Sequence, residues 1–202
     1  MKKRVVLDPG HGGSQPGAVY GGLVEKDIVL KVAKYTEEGI SILDPNVWVG
    51  LTRDWDHILT LQQRCDFSNN MKADCFISIH CNADPDADYP GMPEAKGEEI
   101  WVYDGSVWGM KLARCLKDKV DLIFPNEPFR GIKTTRPIDV DKLIDRRPFL
   151  YVISYTDAPA VLIEIGFIDK SSSTETFTDE LTLQKIGSFI AKGVYEYISQ
   201  SG

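Results

Sequence analysis

Apolar residues recur along this chain in two alternating rhythms, short unbroken runs and stripes with a period near 3.6. Val5-Val6-Leu7 is the first run, closed by Asp8-Pro9-Gly10-His11-Gly12-Gly13. Continuous β-branched and aliphatic residues suit a strand covered on both faces. Pro9 and the glycines end it and allow backbone angles that other residues avoid. Gln15 to Ala18 and Gly21-Gly22 read as a long flexible loop. From about Val24 the period changes: Ile28, Val32 and Tyr35, with Val29, Ala33 and Thr36, predict a helix that Asp44-Pro45 breaks. Val47 to Leu51 predicts a second strand. Thr60 with Gln63 is a capping box that opens a second helix, with Leu61, Cys65, Ser68 and Met71 along one face. Cys75 to His80 is the clearest strand, and an acidic, proline-rich loop runs from Asp84 to Pro93.

The second half repeats the alternation. Glu99 to Tyr103 reads as a strand, and Ser106 caps a helix carrying Val107, Trp108, Leu112, Leu116 and Val120. Phe124 to Pro148 reads as irregular, Phe149 to Ile153 as a strand, and Ala160 to Gly166 as the last buried strand. A serine- and threonine-rich loop, Ser171 to Thr178, leads to a final helix with Leu181, Ile186, Phe189, Ile190, Val194 and Ile198 on its apolar face. Strands alternating with helices predict an α/β fold: a mostly parallel twisted sheet of about six strands with helices on both faces, in a single domain over residues 1–202.

Composition narrows the function. The chain has 202 residues, enough for one full-sized core. A net charge of -7 argues against nucleic acid, which needs a basic face. No apolar run approaches the roughly 20 residues of a membrane span. Met1-Lys2-Lys3-Arg4 has the charge of a signal peptide's start, yet the apolar run behind it is far short of the roughly 7–15 residues a secretory core needs. The expectation is therefore synthesis in the cytoplasm with action elsewhere after release, or a domain of a longer secreted protein, and a monomer. Cys65, Cys75, Cys81 and Cys115 show no paired spacing and read as reduced, structural residues.

Four residues stand out by position. His11 follows the first strand, Glu25 opens the first helix, His80 ends the strand at 75–80, and Glu164 lies near the end of the strand at 160–165. Parallel strands present their carboxyl ends on one edge, where ligands bind in open α/β sheets. His11, His80 and Glu164 should meet there, and Glu25 joins them if the glycine-rich loop folds back. Two histidines and two carboxylates suit a catalytic zinc site. Zinc takes three such ligands, keeps a fourth position open and lowers the pKa of bound water to about 7. The remaining carboxylate serves as general base and acid. The plainer alternatives are a satisfied turn histidine at 11, a first-turn glutamate favoured by the helix dipole at 25, and a buried ion pair at 164. His57 lies in the polar stretch Asp54-Trp55-Asp56-His57 and reads as exposed. Cys81 points away from its neighbour His80, which argues against a thiol nucleophile. The glycine turn lacks a phosphate-loop pattern.

Together these stretches resemble a known family. Leu7-Asp8-Pro9-Gly10-His11-Gly12-Gly13 followed by Gly22-Leu23-Val24-Glu25-Lys26-Asp27 is similar to the opening of the zinc-dependent N-acetylmuramoyl-L-alanine amidases, found in autolysins, sporulation lysins and phage endolysins. Thr52-Arg53-Asp54 with Leu61-Gln62-Gln63-Arg64, Phe76 to Ala83, Arg130-Gly131-Ile132-Lys133 and Ala158 to Phe167 resemble later motifs in the right order. The resemblance implies that His11, Glu25 and His80 bind zinc and that Glu164 is catalytic. It implies hydrolysis of the amide between N-acetylmuramic acid and L-alanine, with bacterial peptidoglycan as partner. The alternatives are a zinc peptidase or deacylase on another amide, and a non-catalytic wall-binding module. The segments 84–96 and 134–148 are long for the family. Arg136, Arg146 and Arg147 are candidates there for binding stem-peptide carboxylates, because arginine forks suit carboxylates, though a solvated loop is the slightly preferred reading.

Overall fold

A computed structural model describes residues 2–84, 95–124, 126–169 and 173–200. Its centre is a six-stranded sheet in the order β4-β1-β5-β8-β6-β7. β1 (Arg4–Pro9), β4 (Trp48–Leu51), β5 (Cys75–Asn82) and β8 (Ala160–Phe167) run parallel. β6 (Glu99–Tyr103) is antiparallel to β8, and β7 (Ile132–Thr135) follows the direction of β6. The expected mostly parallel α/β sheet is thus present, with its last two strands reversed. A two-stranded hairpin, β2 (Val19–Tyr20) and β3 (Leu23–Val24), folds the loop that precedes the first helix.

The pleat sorts the strand residues onto two faces. Val5, Leu7, Ile77, Ile79, Val161, Ile163, Ile165, Ile100 and Val102 face a large core shared with α1 (Glu25–Leu43), α3 (Val107–Val120) and α6 (Glu180–Ser199). The opposite face offers Val6, Phe76, Ala160 and Leu162 to a smaller cluster with Cys65 of α2 (Leu61–Met71) and Val152 and Ile153 of α4 (Tyr151–Tyr155). Helices therefore cover both faces. The capping box at Thr60 and Gln63 and the Ser106 cap form as predicted. No helix among the described residues is long and apolar enough to cross a membrane.

The differences from expectation are local. Phe149 to Ile153 is not a strand; α4 begins at Tyr151, because Val152 and Ile153 turn onto the sheet face instead of joining its ladder. The sixth strand is β7, inside the stretch expected to be irregular. Ser173–Thr178, expected as loop, forms a short helix, α5. Leu61, Val107, Trp108 and Leu181, assigned to apolar helix faces, are exposed, and Leu183 takes the buried place in α6. His57 is half-buried and stacks on Trp55 at 4.3 Å. All four cysteines are buried and free. Most of the 84–96 loop lies outside the described residues.

Candidate metal centre

Three of the four singled-out side chains converge on one point. His11 Nε2 lies 3.1 Å and His80 Nδ1 3.0 Å from Glu25 Oε1, and one ligand atom from each of the three residues falls within 4.8 Å of the others. His11 is delivered by the turn after β1, His80 by the end of β5, and Glu25 by the first residue of α1, swung in behind the β2–β3 hairpin. The remaining Glu25 lone pairs are satisfied by the Cys81 N–H on Oε1 at 3.0 Å and the Ala18 N–H on Oε2 at 2.9 Å. Burial works against the Glu25 charge, but the hydrogen bonds from His11 and His80 outweigh it and hold the carboxyl well below its usual range. His80 responds in kind. Burial disfavours its charged form, while the Glu25 hydrogen bond and the Glu164 charge raise its pKa overall.

The donor set fits a zinc-like cation. Two imidazole nitrogens and one carboxylate oxygen are ordinary zinc ligands. At metal–ligand distances of about 2.0–2.1 Å, tetrahedral ligand atoms stand roughly 3.3 Å apart, close to the two Glu25 separations. The ligands are also braced from behind. Arg64 donates from Nη1 to Asp8 Oδ1 (2.7 Å) and the Pro9 carbonyl (2.8 Å), and from Nη2 to the His11 carbonyl (2.6 Å). Arg53 donates to the carbonyls of Pro9 (3.0 Å), Gly10 (2.8 Å) and Lys26 (2.7 Å), tying the His11 turn to the start of α1. Asp8 further accepts from Thr52 and Ser78 hydroxyls at 2.6 and 2.7 Å. Burial alone would raise Asp8; Arg64 and the two hydroxyls lower it overall. This clamp explains how His11 itself, not only Gly12 and Gly13, holds a positive φ of 58°. Close approach fixes Gly10: a Cβ there would stand 2.3 Å from His80 Cε1.

Glu164 is the strand partner of His80 across β5 and β8. Paired residues of parallel strands project from the same face, so the two side chains are neighbours. One Glu164 oxygen is buried without a hydrogen-bond partner. Burial pushes its pKa up to about 7, with the His80 charge opposing and Glu25 adding. A carboxyl poised near neutrality beside the ligand cluster is the pattern expected of a proton-transfer group. Beside it opens a cleft of about 470 Å³, bordered by His11 and His80 and walled by Leu61, Phe149, Leu150 and Tyr151.

The other candidates are placed elsewhere. Arg147 is committed to Asp104 and Asp145, Arg136 donates to the Val140 carbonyl and lies over the Phe149 ring, and Arg146 is exposed. His57 is not part of the cluster. Sequence reasoning passed over Asp8, Arg53, Arg64 and Glu99. Asp8 had one signal, a charge closing an apolar run, whereas Arg53 and Arg64 stand in polar stretches and had only their place in the family-like motifs.

Comparison with known proteins adds the lineage. The N-acetylmuramoyl-L-alanine amidase family profile matches residues 5–196. The chain is 34% identical over 201 residues to the endolysin of Bacillus phage SPP1, covering 98% of this chain and 67% of that one. It is 28% identical over 214 residues to the germination-specific N-acetylmuramoyl-L-alanine amidase of Bacillus subtilis (strain 168), covering 99% and 81%. Among solved structures it is similar to the catalytic domain of CwlV, an N-acetylmuramoyl-L-alanine amidase from Bacillus (Paenibacillus) polymyxa var. colistinus, with 29% identity, 98% of each chain covered and a TM-score of 0.82.

Proposed function

This chain belongs to the N-acetylmuramoyl-L-alanine amidase family, and from that premise we propose that residues 1–202 are a zinc-dependent catalytic domain. It hydrolyses the amide between N-acetylmuramic acid and the L-alanine of the peptidoglycan stem peptide. The observation that carries this reading is the meeting of His11 Nε2, Glu25 Oε1 and His80 Nδ1 beside the unpartnered oxygen of Glu164.

In this reading His11, Glu25 and His80 hold the metal, and the turn clamped by Arg53 and Arg64 aims His11. Zinc bound there supplies Lewis acidity, polarising the amide carbonyl and acidifying water. Glu164 accepts a proton from the attacking water through its buried carboxylate. It then delivers that proton to the alanine nitrogen as the carbon–nitrogen bond breaks, leaving a free amine and a lactyl carboxyl group that gives up its own proton to the amine or to solvent. The apolar cleft wall of Leu61, Phe149 and Tyr151 shields this exchange from bulk water. The site of action is the bacterial wall.

Metal analysis, wall clearing and product mass test the proposal together. The protein as purified is expected to carry about one zinc and to release stem peptides with a new L-alanine amino terminus. A chelator should abolish clearing, and added zinc should restore it. Glu164→Gln should keep its zinc and lose roughly 10²–10⁴-fold in rate. Equal clearing in all samples would refute the zinc mechanism, and a product cut at another bond would refute the substrate.

A further inference from the structure

Beyond Glu164 the same sheet face continues into a second charged group. Because β6 runs opposite to β8, its first residue, Glu99, lies at the edge where the parallel strands end, paired in register with Glu164. Glu99 is nearly fully buried. Its Oε2 accepts from Arg130 Nε at 2.8 Å and Lys133 Nζ at 2.5 Å, and its Oε1 from the Trp101 indole at 2.9 Å. Each cation also lies over an aromatic face, Arg130 over Phe167 at 5.0 Å and Lys133 over Trp101 at 5.1 Å. Both remain about one-third exposed.

Glu99 holds both cations in place. Two fixed cations share one carboxylate, and among the described residues neither forms an ion pair with Glu164. The Lys133 charge also acts on Glu164, and both cations keep about one-third of their side-chain surface open to a ligand. Fixing two long side chains in this way costs conformational entropy, which Glu99 and the two rings offset. The position also suits a peptide. Adjacent strands lie about 4.8 Å apart, so His80 and Glu99, two strands apart, are separated by roughly 10 Å. Two extended residues span about 7 Å. A peptide whose first amide lies at His80 and Glu164 therefore brings its second residue alongside Arg130 and Lys133. The cleft of Leu61, Phe149 and Tyr151 also borders the metal cluster; of the charges along it, Arg64 is paired with Asp8 and Arg136 lies over the Phe149 ring.

We propose that Arg130 and Lys133, held side by side by Glu99, form a subsite for the carboxylate on the second residue of the stem peptide, and so set the direction in which substrate crosses the site. This rests on the amidase reading above. It gives the carboxylate-binding role to these two residues rather than to Arg136, Arg146 or Arg147.

The test compares two N-acetylmuramoyl peptides that differ only at that second residue, one with a free carboxylate and one with a carboxamide. Wild-type protein should favour the acid in kcat/KM, mainly through KM. Losing a charge-assisted contact should shrink the acid-to-amide ratio about tenfold or more in Lys133→Gln and in Arg130→Gln, and Lys133→Arg should recover much of it. Calorimetry with the free acid and amide peptides should show the same change in ratio, and thermal unfolding checks that the variants fold. Equal losses on both substrates, or no preference for the acid in wild type, would overturn the subsite. If wild type bound the acid peptide selectively yet cleaved neither substrate, the subsite would stand and the amidase reading would fall.

Discussion

Arg64 is where folding and the candidate chemistry are most tightly joined. Its side chain is 3% exposed and that of Asp8, its ion-pair partner, 1%. Arg64→Leu leaves Asp8 a buried charge without an ion pair, held by the Thr52 and Ser78 hydroxyls and the field of Arg53, and breaking a buried pair from one side costs about 3–5 kcal/mol. The Pro9 carbonyl keeps Arg53, but the His11 carbonyl loses the Arg64 donor. His11 is held at φ 58°, a conformation that costs a non-glycine residue about 1–3 kcal/mol. That is the size of the hydrogen bond removed, so the turn should relax and carry the imidazole away from Glu25. Zinc affinity should then drop about 10–100-fold, as for loss of other groups that support metal ligands. Arg64→Lys keeps the charge but cannot reach Asp8 and His11 at once. It should cost less stability while still weakening zinc. The acid dependence gives a sharper signature. In the native protein Asp8 titrates below its unfolded value of 3.8. Its contribution is therefore present above that pH and lost as pH falls through the folded value. Without Arg64, burial is opposed by the hydroxyls and the Arg53 charge alone, and Asp8 moves upward. Stability then declines as pH rises from about 4, so the destabilisation should be larger at pH 7 than at pH 4. Urea unfolding at the two pH values and a competitive zinc titration measure both effects. A loss under about 1 kcal/mol, or one equal at both pH values with unchanged zinc affinity, would refute the clamp.

Two further predictions test the geometry elsewhere. Gly10→Ala places a methyl group 2.3 Å from His80 Cε1, so the ring must shift; zinc affinity should fall at least about tenfold, and an unchanged affinity would show that His80 has room to spare. Glu98 accepts from the Phe124 N–H, its other oxygen is buried without a partner, and burial pushes its pKa up to about 7. Its folded value exceeds the unfolded 4.5, so the ionised form destabilises the fold progressively as pH rises from 4.5 to 7. At about 1.4 kcal/mol per pKa unit the ceiling is about 3.5 kcal/mol. Glu98→Gln should therefore stabilise the protein by about 1–3 kcal/mol at pH 8 and hardly at all at pH 4.5; a gain that does not vary with pH would contradict the assignment.

The sequence by itself determined the elements with strong periodicity and the residues at their ends. β1, β5, β8, α1 and α6 carry enough apolar residues for their period to identify them. A histidine or glutamate where such a run stops can be placed at the sheet edge without coordinates, which is how His11, His80 and Glu164 were legible. Glu25 was legible as the start of a helix, but its inward swing depends on the β2–β3 hairpin. Weak local signals misled. Ile132-Lys133-Thr134-Thr135 has one aliphatic residue, yet it pairs at the sheet edge, where burial is partial. Phe149 to Ile153 is apolar enough for a strand, yet it packs as a helical turn because the sheet face needed covering. Long-range packing set the rest. The contacts of Arg64 with Asp8 and His11 span 56 and 53 residues of sequence, and no local pattern encodes them. The reversal of β6 follows from how the chain returns to the sheet, and it alone brings Glu99 beside Glu164. Periodicity reports which face of an element is buried. Which charged groups share that burial is settled when distant elements pack and each buried charge must find its partner.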